Sequence, residues 1–151
     1  MLDKKENHRK FAKETFNGTW NLLDKKERTK EEDAQMIRMA HASRYHWGEI
    51  GTPLEFARSD WQISRVYAVL GFGVMAHKYA KTSLEHCEKN EIGDFDLAFA
   101  YEALARASAV SGDTPKGYGY LSLAESAGSD IAKKDDSEFF LNELKTVTEL
   151  L

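Results

Sequence analysis

With 151 residues, 42% of them hydrophobic and 30% charged, the chain is long enough to bury a core and too apolar for general disorder. Its net charge of −4 argues against a dedicated nucleic-acid binder, which carries a basic excess. The most apolar window, Val66 to Ala76, holds 11 residues against the ~20 that a membrane span needs, so no membrane association is expected.

Charge is uneven along the chain. Residues 1–30 hold nine Lys/Arg against five Asp/Glu, and the remaining 121 hold twelve against twenty. The basic start either meets an acidic partner or forms a solvated face, and its interleaved acids favour the second. Charges throughout this stretch leave no room for the apolar segment of a secretory leader. Cys87 is alone, so no intrachain disulfide forms, and a single thiol suits a reducing compartment. Glu85 and Glu88 beside it disfavour a thiolate. A cytoplasmic protein is expected, in which the Asn17-Gly18-Thr19 sequon has no role.

Seven helices are predicted. The first runs from about Asp3 to Asp24, with Ala12, Phe16, Trp20 and Leu23 on one face, although Gly18 weakens it by up to ~1 kcal/mol. The second spans Lys30 to about Trp47, opened by a capping box between Thr29 and Glu32. The third begins at Thr52-Pro53, where threonine caps and proline fills the first helical position, with Glu55 completing a box, and it ends near Leu70. The fourth covers Val74 to Asn90. The fifth runs from Phe95 to Ser111 behind Asp94 as its cap, with Asp96 favourable in its first turn. The sixth starts at Thr114-Pro115 and reaches about Ala127. The last runs from Asp136 to the end, with an Asp135–Glu138 box and Phe140, Leu144, Val147 and Leu151 at helical spacing. Gly51, Gly71, Gly93 and Gly112 fall at helix ends, where a left-handed residue closes a helix. No segment alternates as a half-buried strand does, and the short links make consecutive helices antiparallel neighbours.

Trp61–Gly71 is echoed 41 residues later by Glu102–Gly112. In that register Ile63 meets Leu104, Arg65 meets Arg106, Ala68 meets Ala109, Ala76 meets Gly117 and Tyr79 meets Tyr120. Small residues at 76 and 117 suit close approach of the second helix of each pair to the first. A repeated helix pair cannot bury its apolar face alone and stacks on its neighbours. Tyr67, Gly71, Ala76 and Ser83, followed by Gly112, Gly117 and Ala124, resemble the tetratricopeptide repeat. That family's helix pair has a turn glycine, a tyrosine four before it, a small residue five after it and another seven beyond. Ser108 replaces the second tyrosine, the closing proline is absent, and the period exceeds the family's ~34 residues. The resemblance covers roughly residues 54–128 and implies an all-α, antiparallel helix-hairpin solenoid. Residues 1–50 would be an N-terminal helix pair, 53–128 two repeat-like pairs and 135–151 a capping helix, all within one domain over 1–151. HASRYHWGEIGTP and GDFDLAFAYEALARA also resemble segments of a group of uncharacterised bacterial proteins, which brings no activity with it.

On the third helix Phe56, Ile63, Tyr67 and Leu70 share a core stripe, while Arg58, Trp61 and Arg65 lie opposite. The tetratricopeptide resemblance implies that the first helix of each pair lines a concave groove. Arg58, Trp61, Arg65, Glu102 and Arg106 would then hold an acidic or carboxylate-ended peptide through guanidinium forks and indole area. The alternative is internal pairing of the arginines with Asp60, Asp96 or Glu102, with Trp61 packed on the first or fifth helix. His41, Arg44, Tyr45, His46 and Trp47 crowd the end of the second helix. His41 and His46 are secondary candidates with Tyr45. They stand about 140° apart around a helix and so share no face for a metal, and no zinc or di-iron signature occurs. Tyr45 and Trp47 are expected in the core, with the histidines against helix-end carbonyls or carboxylates. Gly71-Phe72-Gly73 follows no strand, which excludes a dinucleotide fingerprint.

The expected function is non-catalytic binding of a protein or peptide, without cofactor or metal. Two alternatives stand beside it: homodimerisation through the terminal helices, and a small-ligand sensor or enzyme using the His41–Trp47 cluster.

Overall fold

The structure, a computed structural model, describes residues 3–151. Among these residues it is all-α: α1 (Lys4–Leu23), α2 (Lys30–Ile50), α3 (Pro53–Val69), α4 (Gly73–Lys89), α5 (Asp94–Val110), α6 (Thr114–Gly128) and α7 (Lys134–Leu150). No helix among them is long and apolar enough to cross a membrane.

The starts of α1, α2 and α6 follow side chains that accept an orphan amide, and the other four helices have no side-chain cap. The Thr29–Glu32 box forms, with Thr29 Oγ1 accepting from Glu32 N–H at 3.1 Å and Glu32 Oε1 from Thr29 N–H at 3.0 Å. A second box, Asp3 with Glu6, opens α1. The Thr52–Glu55 box does not form: the Thr52 hydroxyl donates to the Glu55 carboxylate at 2.5 Å and caps no amide. At α6 the cap is Asp113, one residue before the predicted Thr114, and its carboxylate accepts from Lys116 N–H at 3.2 Å. Helix α7 starts from Lys133, so Asp135 lies inside its first turn and makes no box with Glu138. Asp94 has a left-handed φ of 55°, which aims its carboxylate at Phe95 N–H (2.7 Å) and at Ala132 N–H (3.2 Å) before α7.

The ends of α3 and α5 are the same turn. Gly71 and Gly112 have φ of +84° and +79°. Phe72 N–H bonds back to the Tyr67 carbonyl (2.8 Å) and Asp113 N–H to the Ser108 carbonyl (2.9 Å), the bond that closes a Schellman turn. A side chain with a Cβ at either glycine would be strained. Gly51 and Gly93 are not left-handed. After α4 that role falls to Glu91, with φ of 54°.

Packing is strongest between chain neighbours: α1 with α2, α3 with α4, α5 with α6. The backbones of the odd-numbered helices also approach in series, α1 to α3 to α5 to α7, whereas α2, α4 and α6 meet only through side chains, His41 with Tyr79 and His77 with Tyr120. The odd helices therefore form the inner row and the even ones splay outward. Small polar side chains tie the rows together: Ser64 Oγ donates to the Ala76 carbonyl (2.7 Å), Ser83 Oγ to Ala57 (2.8 Å) and Ser43 Oγ to Ala12 (2.9 Å).

One core cluster joins α2 to α3 through Met36, Ala40, Ile63 and Val66. Another joins α5, α6 and α7 through Phe99, Leu121, Phe140, Leu144 and Val147. Burying Phe140, Leu144 and Val147 contributes about 1.5–3 kcal/mol each before entropy, which is what holds α7 on α5 and α6. Gly117 makes room for α7 as well: a Cβ there would stand 2.5 Å from a methyl of Leu151. Its smallness admits the chain's end, not the approach of α6 to α5.

Candidate functional site

Helix α3 is buried almost all round, at Ala57, Ser59, Asp60, Gln62, Ile63, Ser64, Val66 and Ala68. On its Arg–Trp–Arg side Trp61 and Arg65 are largely covered, and only Arg58 is exposed. Arg58 makes a fork-to-fork pair with Asp96 on α5, Nε to Oδ1 at 2.9 Å and Nη2 to Oδ2 at 3.2 Å. The hydrogen bond to that carboxylate raises the Arg58 pKa.

Trp61, Arg65 and Arg106 converge on Glu102, which is fully buried. Its carboxylate accepts from Arg106 Nε (2.8 Å), from Arg65 Nη2 (3.3 Å) and from Trp61 Nε1 (3.4 Å), and Arg106 Nη2 stands 2.7 Å from it as an ion pair. Helix α7 supplies what the sequence reading lacked. Glu143 Oε2 lies 2.9 Å from Arg65 Nη2, and Arg106 Nη2 donates to Thr146 Oγ1 (2.6 Å) and to the Glu143 carbonyl (3.3 Å). Two arginines and two glutamates thus neutralise one another across α3, α5 and α7, as buried charges must. Of the five predicted groove residues, four meet in this node and Arg58 pairs separately. No local pattern marks Glu143 or Thr146, which lie 37 and 40 residues beyond Arg106.

Beside this node the inner row leaves a cleft of about 90 Å³. Its walls are Phe16 and Trp20 from α1, Trp61 from α3, Phe95 and Phe99 from α5 and Phe139 from α7, with the Arg58–Asp96 pair at its edge. Trp20 and Trp61 stand 5.6 Å apart between ring centroids, and Trp61 meets Phe99 edge-on at 5.5 Å. Phe99 is buried, whereas Phe139 is 48% exposed and stands at the mouth. A wider cleft of about 470 Å³ adjoins the first, sharing Phe16 and Arg58, and is lined further by Lys13, Asn17, Trp47, Leu54 and Glu55. Together they make a trough with an apolar end and a mixed end. The hydroxyls along it are committed, Ser83 to the Ala57 carbonyl and Ser59 to the Glu55 carbonyl.

The crowded end of α2 does not form one site. Tyr45 is 60% exposed, not a core residue, because its side of α2 has no helix against it beyond the edge of His8. Trp47 is half-buried on the wider cleft. His41 Nε2 lies 2.9 Å from the Tyr67 hydroxyl, and burial, then the Lys78 charge, lowers its pKa. His46 Nδ1 lies 2.8 Å from His8 Nδ1, so one ring donates and the other accepts. The histidines therefore meet a phenol and another imidazole instead of carbonyls or carboxylates. No group of three or more His, Cys, Asp or Glu side chains placed for a metal occurs among the described residues.

Two further buried groups lie away from the node, Asp60 and Cys87. Asp60 takes Arg44 Nε at 3.2 Å and has His86 Nε2 3.2 Å from its other oxygen, off the line of a hydrogen bond. Burial raises its pKa against the pull of both partners. Cys87 is buried, and burial followed by the charges of Asp96 and Glu88 pushes its thiol up to about 12. Comparison of the chain with protein families, curated proteins and solved structures gives no match.

Proposed function

We propose that this chain is a non-catalytic recognition module whose inner row holds an apolar side chain of a protein or peptide partner. The observation that carries the reading is the aromatic cleft. Rings from four helices, separated by as many as about 120 residues in sequence, line one open slot. Apolar walls with a few polar groups at the edge are the usual make-up of a binding cleft. Support for a tetratricopeptide-like hairpin solenoid comes from the repeated turn at Gly71 and Gly112 and from an inner row whose backbones approach more closely than those of the outer row. In such an architecture the inner helices face the ligand. The arginines contribute by fixing those helices, because their guanidinium groups are already paired.

The test is selection from a displayed library of random dodecapeptides, on the wild type and on Phe139→Glu. Phe139 is half exposed, so the variant keeps its fold while a carboxylate enters the cleft mouth. The wild type enriches peptides that share an apolar residue, and Phe139→Glu binds them at least tenfold more weakly with an unchanged circular dichroism spectrum. Absence of enrichment, or equal binding by both proteins, overturns the proposal.

A further inference from the structure

We infer that the occupant of the trough is an acidic peptide segment with a single apolar anchor, its carboxylates lying along α1. The inference rests on the trough being a recognition site and names the partner's chemistry. At 100° per residue, Trp20, Lys13 and Arg9 fall within about 40° of one another on α1, with Phe16 and Lys10 about 60° to either side of Lys13. The row that lines the apolar slot therefore continues, two turns toward the N-terminus, as a row of cations. Lys13 already lines the wider cleft. Arg9, Lys10 and Lys13 are all exposed, and none has a carboxylate within ion-pair distance among the described residues. The arginines deeper in the fold, at 44, 58, 65 and 106, all have one.

The acids nearest this row, Glu6 and Glu14 on α1 and Glu55 on the opposite wall, lower its net charge, but none lies within ion-pair distance of the three cations. Glu6, on the same side of α1, closes the capping box with Asp3, and Glu55 on the opposite wall accepts from the Thr52 hydroxyl. Across the apolar slot, the start of α7 carries Lys133 and Lys134 beside Asp135 and Asp136 and adds no net charge. The trough is therefore cationic along α1, which attracts an acidic ligand to that wall. Spacing follows from helix geometry. Lys13 and Arg9 stand about 10 and 16 Å along the axis from Trp20. An extended peptide covers ~3.3 Å per residue, so its carboxylates belong about three and five residues to one side of the anchor.

The same library selection reads this out. Enriched peptides are synthesised with a fluorescein label, and affinity is followed by anisotropy at 50 and 200 mM salt. The expected peptides carry an apolar residue with two or more Asp or Glu about three to five positions to one side. Their binding weakens with salt and falls about tenfold in Arg9→Glu/Lys10→Glu/Lys13→Glu, the combined effect of three exposed charge contacts. The neutral variant Arg9→Gln/Lys10→Gln/Lys13→Gln gives a smaller loss and guards against misfolding of the reversed one. Peptides that share an apolar residue but no acidic flank, or that bind the reversed variant as well as the wild type, overturn this inference and leave the cleft reading standing. Failure to enrich any peptide overturns both.

Discussion

Removing the Glu102 carboxylate separates a structural arginine from a ligand-binding one. Glu102 is fully buried and accepts from three side chains, and the side chains of Arg65 and Arg106 retain only 12% and 10% of their exposure. Glu102→Ala leaves two guanidinium groups with one carboxylate, Glu143, which stands 4.0 Å from Arg106. Breaking one side of a buried pair costs about 3–5 kcal/mol, because desolvation stays while attraction is lost. Against a typical total of about 5–15 kcal/mol, that is a large share. With a urea slope of about 2 kcal/mol/M, the denaturation midpoint falls by about 1.5–2.5 M, followed by circular dichroism at 222 nm. Arg58→Ala removes a pair whose arginine is half exposed and costs at most about 1 kcal/mol. Arg65→Met/Glu102→Leu/Arg106→Met, which removes the charges together, stays within about 1 kcal/mol of wild type. A loss below about 1 kcal/mol in Glu102→Ala would refute the reasoning and return Arg65 and Arg106 to the list of available ligand contacts.

Two glycines of α6 give opposite outcomes in thermal melts. Gly128→Ala sets a Cβ 2.4 Å from the ring of the buried Phe140 and costs about 1–3 kcal/mol, whereas Gly119→Ala meets open space and gains about 0.5–1 kcal/mol, raising Tm by about 1–4 °C. Equal shifts would show that Phe140 can move aside. Stability falls as pH drops through about 6.5, because His41, held neutral chiefly by burial, takes its proton later than the unfolded chain does. His46 and His77 act in the same direction. Asp60 acts in the opposite sense at lower pH, so the comparison is with His41→Gln: urea midpoints at pH 7.5 and 5.5 differ less in the variant, and identical pH dependence sinks the assignment. Cys87, with its thiol pushed up to about 12 and buried, does not react with a disulfide reagent at pH 8 until denaturant is added, and rapid native labelling would contradict its placement.

The features legible in the sequence are those set by near neighbours. Helical spacing marks all seven helices, and a glycine at the end of an apolar stretch marks the turns at Gly71 and Gly112, because only a left-handed residue closes them. Phe140, Leu144 and Val147 announce the buried stripe of α7 by spacing alone. Caps were less legible, since Thr and Asp side chains choose among several partners a few residues away. Thr52 gives its hydrogen to Glu55, and Asp113 takes the capping position from Thr114. Each choice turns on a local rotamer worth about a kilocalorie.

The face of α3 shows where reading from spacing ends. A helical wheel assigns Arg58, Trp61 and Arg65 to the side away from Ile63, and that much holds. It assumes, though, that a helix has one covered side. Helix α3 is central, with α4 and α2 against one side and α1 and α5 against the other, so the polar side is covered too. The guanidinium groups there take their partners from two elements: Asp96 and Glu102 on α5 and Glu143 on α7. The 41-residue echo brings Arg65 and Arg106 to the same carboxylate, so a repeated arginine here reflects repeated architecture. On α1 the argument runs the other way. That helix ends the row, little covers its outer side, and Arg9, Lys10 and Lys13 remain solvated beside an aromatic slot. Among the described residues, the charge pairing that runs through α3, α5 and α7 does not extend to these three cations of α1.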